Sequence, residues 1–203
     1  MSSTLSTRKA KLNQNSYLLS ICYHYPMPHI HTKPGEHDLT VSAYIIRLDQ
    51  GEPRVLLHWH KKQHIYMQFG GHVELNENPW EAITHELREE SGYDMSQLQL
   101  LQPPSMLEKL SEAVLHPYPV SYWTHHFEDI DHYHTDTSFA FVTSQAPKYP
   151  VSEGESSDIR AFSAEDLEKM AKDKLSQLSL ETALYIFNSC LNSWKRVDAD
   201  SIT

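Results

Sequence analysis

Glu86, Glu89 and Glu90 stand at i, i+3 and i+4 in the segment HELREES. At ~100° per residue this spacing puts the carboxylates on one face of a helix. Like charges packed so closely raise one another's free energy unless protons or cations neutralise them. A hard divalent cation is the economical neutraliser, since Mg²⁺ takes carboxylate, carbonyl and water oxygens and leaves positions open for phosphate oxygens. The Gly70 carbonyl and Glu77 are the further oxygens on offer nearby. The plain alternative is a solvated acidic face. Against it, Trp80, Ile83 and Leu87 form an apolar stripe beside the glutamates, which places them at the margin of a buried side, where a cleft would lie.

The helix that must carry these groups is bounded in the sequence. Asn78 suits the N-cap, Pro79 the first helical position and Glu81 the third residue after the cap, and Gly92 supplies a left-handed stop, so the pattern predicts a helix over 79–91. Before it, residues 39–48 and 54–60 read as paired strands joined by the turn material DQGEP, and Ile65–Phe69 as a further extended segment that ends at the Gly70–Gly71 pair. After it come an extended Leu98–Leu101, an insertion from Pro103 to about Ile130, and a strand over 133–143. Ser163 and Asp166 form a capping pair for a helix running to Lys174. Leu180, Leu184, Phe187, Leu191 and Trp194 make the stripe of a last helix, read as closing the core, with part of it available for a homodimer contact. Residues 1–36 read as an N-terminal arm or helix, with only weak transit-peptide character, and 37–203 as the main domain with its C-terminal helix. Strands and helices in this order imply a layered α/β or α+β domain.

From Gly71 the sequence runs five residues to Glu77, seven more, then HELREESGY. It resembles the signature box of the Nudix hydrolases, the MutT-like family: G-x5-E-x7-R-E-U-x-E-E-x-G-U, with U apolar. His85 stands where the family has arginine, Tyr93 is a loose match at the last position, and Phe69 replaces a common proline before the glycines. The stretch VLLHWHKKQHIYMQFGGHVE also looks like a bacterial subgroup with a GGHVE-type box.

The resemblance implies a Nudix-type α/β/α sandwich with a mixed central sheet. It also implies Mg²⁺ or Mn²⁺ as cofactor, and hydrolysis of the diphosphate bond of a nucleoside diphosphate linked to another group. It implies Gly70, Glu86, Glu89 and Glu90 as metal ligands, with Glu89, Glu90 and Glu77 as the catalytic set, and His85 pairing with Glu77. A further carboxylate is expected from a later loop, at Glu153 or Glu155, and His72 and Glu155 are expected to meet substrate. A Nudix-fold binding or sensing module is the alternative that His85 and the added arm motivate, and an isomerase on the same fold is a third possibility. No Ser or Cys sits in a recognisable elbow or activated-thiol motif, which disfavours nucleophilic catalysis.

Histidine pairs alternate at His29/His31, His58/His60 and His132/His134, and on strands each pair shares a face. They suit a zinc site or a phosphate-contacting surface, but lacking a thiolate partner they read first as partly buried or surface histidines. Trp59, Tyr66 and Tyr44 read first as sheet packing and second as base-stacking groups.

The whole composition fits this reading. The 203 residues carry 17 Lys and Arg against 27 Asp and Glu, a formal net charge of −10, which is the wrong sign for coating a nucleic-acid polymer. Cys22 and Cys190 are too few for a disulfide framework, so a reducing, cytoplasmic setting is the expectation. No apolar run approaches the ~20 residues of a membrane span. The expected partner is a small nucleotide-type molecule.

Overall fold

A computed structural model of the chain describes residues 30, 31, 33–49 and 51–202; the arm expected over 1–36, with Cys22 and His29, lies almost wholly outside them. One mixed sheet forms the centre. It comprises β1 (His37–Arg47), β2 (Arg54–His60), β3 (Ile65–Met67), β4 (Phe69–His72), β5 (Gln99–Gln102), β6 (Ser121–Phe127), β7 (His132–Thr143), β8 (Ile159–Phe162) and β9 (Lys195–Asp198). The main path runs β3-β2-β1-β7-β5-β9. β1 and β7 lie parallel along their whole length, from His37 opposite Tyr133 to Arg47 opposite Thr143. The other pairings are antiparallel.

Each long central strand is shared by two partners in series. Along one edge of β1, β4 pairs with Thr40–Ala43 and β2 with Ile45–Arg47. Along the far edge of β7, β6 pairs with 132–138 and β5 with 141–142.

Because side chains alternate across a strand, the odd and even positions of β1 serve different layers. Val41, Ala43 and Ile45 pack with Phe139 and Phe141 against Trp80 and Ile83 of α1 (Pro79–Glu86) and Leu87 just after it. Tyr44 and Ile46 pack with Ala140 and Val142 against Leu167 of α2 (Ala164–Lys169) and Ala183 and Ile186 of the α3 region (α3, Gln177–Tyr185). Helices on both faces of a mixed sheet make the α/β/α sandwich.

The even face changes character along its length. Toward one end it is apolar beneath α3; toward the other it presents Asp38, Thr40 and Ser42 opposite His134, Asp136 and Ser138. A sheet face that stops being apolar where its covering helix ends is where a cleft opens.

The capping expectations hold. Asn78 accepts from the Trp80 and Glu81 amides, Glu81 returns the bond to Asn78, and Gly92 adopts φ 73°. Ser163 and Asp166 form the second capping box, although that helix ends at Lys169 rather than Lys174. Three features depart from the sequence pattern. The segment 65–69 is two strands broken at Gln68, because the chain leaves β2 and crosses to β1. The 103–130 insertion contains β6, whose polar alternation hides a strand that borrows its register from β7. The last helix ends in a wide π turn, Ile186–Cys190, followed by β9; its most buried line is Ser179, Ala183, Ile186 and Cys190, one position off the leucine stripe, since small residues let it approach the sheet.

Candidate active site

The helix that begins at Pro79 does not finish as an α-helix. Leu87–Ser91 form a π turn, a widening common at functional sites, and the Ser91 hydroxyl donates back to the Leu87 carbonyl. Along this turn Glu90 is buried at 8% exposure and Glu86 half-buried, whereas Glu89 is exposed, so the three carboxylates meet solvent unequally.

The double glycine fits against these groups. A Cβ at Gly71 would meet Glu86 Oε1 at 2.2 Å, and one at Gly70, whose φ is +138°, would meet the Val41 carbonyl oxygen at 2.0 Å. The Gly70 amide donates to Glu90 Oε2 at 2.8 Å. Strand β4 is thereby pressed onto the carboxylates with no side chain between them.

Burial, reinforced by the charges of Glu89, Glu155 and Glu77, raises the Glu86 carboxyl to about 7 although His85 opposes it. Burial likewise raises Glu90 to about 9, against the Gly70 hydrogen bond, with Glu86, Glu155 and Glu89 adding repulsion. Among the described residues, only histidines come within ion-pair distance of this pair. His58 Nδ1 lies 3.8 Å from Glu90 Oε1. Burial, with the nearby charge of His60, pushes His58 down to about 4, so it stands neutral and the contact is not an ion pair.

His85 pairs with Glu77, as the resemblance implies. Its Nδ1 is 3.0 Å from Glu77 Oε2 and its Nε2 is 3.7 Å from Glu86 Oε1, while Glu77 Oε1 accepts from the Glu74 amide. Tyr93, the loose match, is buried, receives the Arg47 guanidinium at 3.0 Å and donates to the Gln145 carbonyl.

The later loop is tied to the site from both sides. The Ser152 amide donates to the Glu89 carbonyl, Arg88 lies over the Tyr149 ring, and Lys61 Nζ donates to the carbonyls of Gly154 and Glu155. Glu155 is held close enough to raise both buried carboxyls; Glu153 is exposed on the same loop.

Beyond the glycines, a cleft of about 130 Å³ is lined by Gly70, Gly71, His58, His72, Trp123 and Asp136 among others. Asp136 is buried and accepts from Thr40, Ser42 and Ser138, and burial outweighs those bonds to hold it at about 6. Trp123 and Asp136 carry no signal in a linear motif, because β6 and β7 meet only through pairing. Tyr44 and Tyr66 are buried in the core and Trp59 packs on Tyr66, so these aromatics serve packing.

The donor set fits the divalent ion the sequence implies: clustered carboxylates, one buried and one half-buried and neither with a lysine or arginine partner among the described residues, beside a backbone stripped of side chains.

A family model for the NUDIX domain matches residues 36–180. A NUDIX-family hydrolase from Clostridium perfringens is similar at 29% identity and a TM-score of 0.57, over 71% of this chain and 92% of that one. A NUDIX hydrolase from Nitrosomonas europaea is similar at 15% identity and 0.54, over 84% and 97%. The NUDIX domain of Shewanella oneidensis NrtR, solved with ADP ribose, is similar at 14% and 0.53, over 87% and 100%. At those lower identities the likeness is one of fold. No curated protein matches the chain.

Proposed function

The chain belongs to the NUDIX family, and from that premise we propose that it is a metal-dependent pyrophosphohydrolase that cleaves the diphosphate bond of a small nucleotide-type molecule. The observation that carries this reading is the pair of half-buried Glu86 and buried Glu90, set against the double glycine and raised to about 7 and 9. Ionising both of these carboxyls out of water is costly, and a bound cation offsets that cost.

Glu86, Glu89, Glu90 and the Gly70 carbonyl would hold Mg²⁺ or Mn²⁺. Bound there, such an ion supplies positive charge to diphosphate oxygens and Lewis acidity toward an attacking water. Glu89 and Glu90 are the catalytic carboxylates of this reading. In this role Glu89, which is exposed, takes a proton from water entering from solvent, and Glu90 accepts from the Gly70 amide. Glu77 supports Glu86 through His85. Glu155, on its tethered loop, and His72, on the cleft wall, face the substrate. The ADP ribose in the Shewanella domain and the Ap4A hydrolase of C. elegans, similar in fold, supply the first compounds to try.

The test is a panel of nucleoside triphosphates, ADP-ribose, dinucleoside polyphosphates and coenzyme diphosphates with Mg²⁺ or Mn²⁺. Turnover on at least one, abolished by Glu90→Gln, is the expected result. Binding without turnover on every member, unrestored by His85→Arg, would instead mark a sensing module.

A further inference from the structure

The polar end of the even sheet face holds a second cluster, made of residues other than the helix glutamates. Register sets Asp38 opposite His134 and Thr40 opposite His72, so β1, β7 and β4 each bring one group to the same place. Asp38 is fully buried and His134 is at 5% exposure. One donor atom from each of Asp38, His72 and His134 lies within 4.8 Å of the others. Asp38 Oδ2 is 3.4 Å from His72 Nε2 and 3.2 Å from His132 Nε2. The His72 and His134 rings meet edge to face at 5.0 Å.

We propose that Asp38, His72 and His134 form a second metal site, separate from the glutamates of the helix, that takes a zinc-class divalent transition ion and opens onto the cleft. The donor chemistry separates the two sites. Imidazole nitrogens with one carboxylate suit zinc and its neighbours, whereas an all-oxygen set suits magnesium. For one pair the spacing agrees: a tetrahedral ion with ligands at ~2.0–2.1 Å separates its donors by roughly 3.3 Å, close to the 3.4 Å between Asp38 and His72, while the His134 donor lies within 4.8 Å of both.

The carboxylate is also held in one orientation. The His31 amide and ring donate to Asp38 Oδ1 at 2.9 and 2.8 Å, and the Ile30 amide donates at 3.0 Å to Oδ2, the oxygen nearest His72. Three protein ligands leave one tetrahedral position open, as in zinc sites that take water or substrate. His72 and His134 both line the cleft, so the open position faces it, and His72 would then meet a substrate phosphate through the ion rather than directly.

Full-length protein stripped with chelator and titrated with Co²⁺ tests the assignment. The expected result is one tightly bound equivalent with the visible absorption of low-coordinate cobalt, displaced by Zn²⁺ but not by Mg²⁺. It should persist in a Glu86→Gln/Glu90→Gln double variant. His72→Gln and His134→Ala should each weaken binding by more than the ~10–100-fold that an outer partner is worth, and His31→Ala by about that amount. His72 is partly exposed, with a side chain at 14%, so its variant keeps the test valid should the His134 variant fail to fold. No tight Co²⁺ binding, equal binding in His72→Gln, or binding lost only in the double glutamate variant would overturn the second site. The last of these leaves the hydrolase reading standing.

Discussion

Glu90 is the residue on which folding and chemistry pull in opposite directions. Its buried carboxyl is raised to about 9, so near neutrality the metal-free fold must either hold a proton there or bear an unpaired charge. Glu90→Gln keeps the shape and removes the charge. In chelator at pH 8 it should raise the unfolding free energy by on the order of 1 kcal/mol, read by thermal denaturation, while abolishing turnover. A loss of stability instead would mean that the ionised carboxylate is held by donors of the fold itself. His85 is the complementary case, bridging Glu77 and Glu86. His85→Ala should lower kcat by ~10–100-fold, the usual worth of a group that orients a ligand, and His85→Arg should retain activity because the guanidinium reaches the same two carboxylates.

At the scale of elements, the two adjacent glycines do different work. Gly70 combines a φ of +138° with a Val41 carbonyl 2.0 Å from any added Cβ, so Gly70→Ala strains rigid backbone and should cost ~2–4 kcal/mol of stability. At Gly71 the obstacle is the end of the Glu86 side chain, 2.2 Å away. Gly71→Ala should therefore fold with a near-normal melting temperature yet lose most of its activity, because Glu86 swings aside rather than the strand. Comparing melting curves with turnover separates the two, and equal damage to both properties in both variants would refute the distinction. The helix facing them is similarly divided, into an α-helical first part fixed by its Asn78 cap and a π turn that carries buried Glu90 and exposed Glu89.

For the whole molecule, the same burial gives stability a sign with pH. The Glu86 and Glu90 carboxyls are raised from 4.5 to about 7 and about 9, so the folded state holds protons that the unfolded chain has released. Their contribution is fully present below pH 4.5 and is lost as pH rises through 7 and 9. Without metal the protein should lose stability from about pH 5 to pH 9, and saturating Mg²⁺ or Mn²⁺ should flatten the slope, since an ion that binds only the fold stabilises it. Denaturant titrations with and without the cation check this, and identical slopes would remove the cation from the site. The helix over the box, its caps, the strands before it and the glutamate spacing were all legible in the sequence, because local hydrogen bonding and periodicity set them. Residues 70–93 are contiguous, so the box could be read as a line of letters. The strand at 121–127, the π turn, the Trp123 and Asp136 walls of the cleft and the meeting of Asp38, His72 and His134 were decided only in the folded molecule. Each depends on which strands lie side by side and in what register, and that choice is made by burial summed over the whole sheet rather than by the residues on either side.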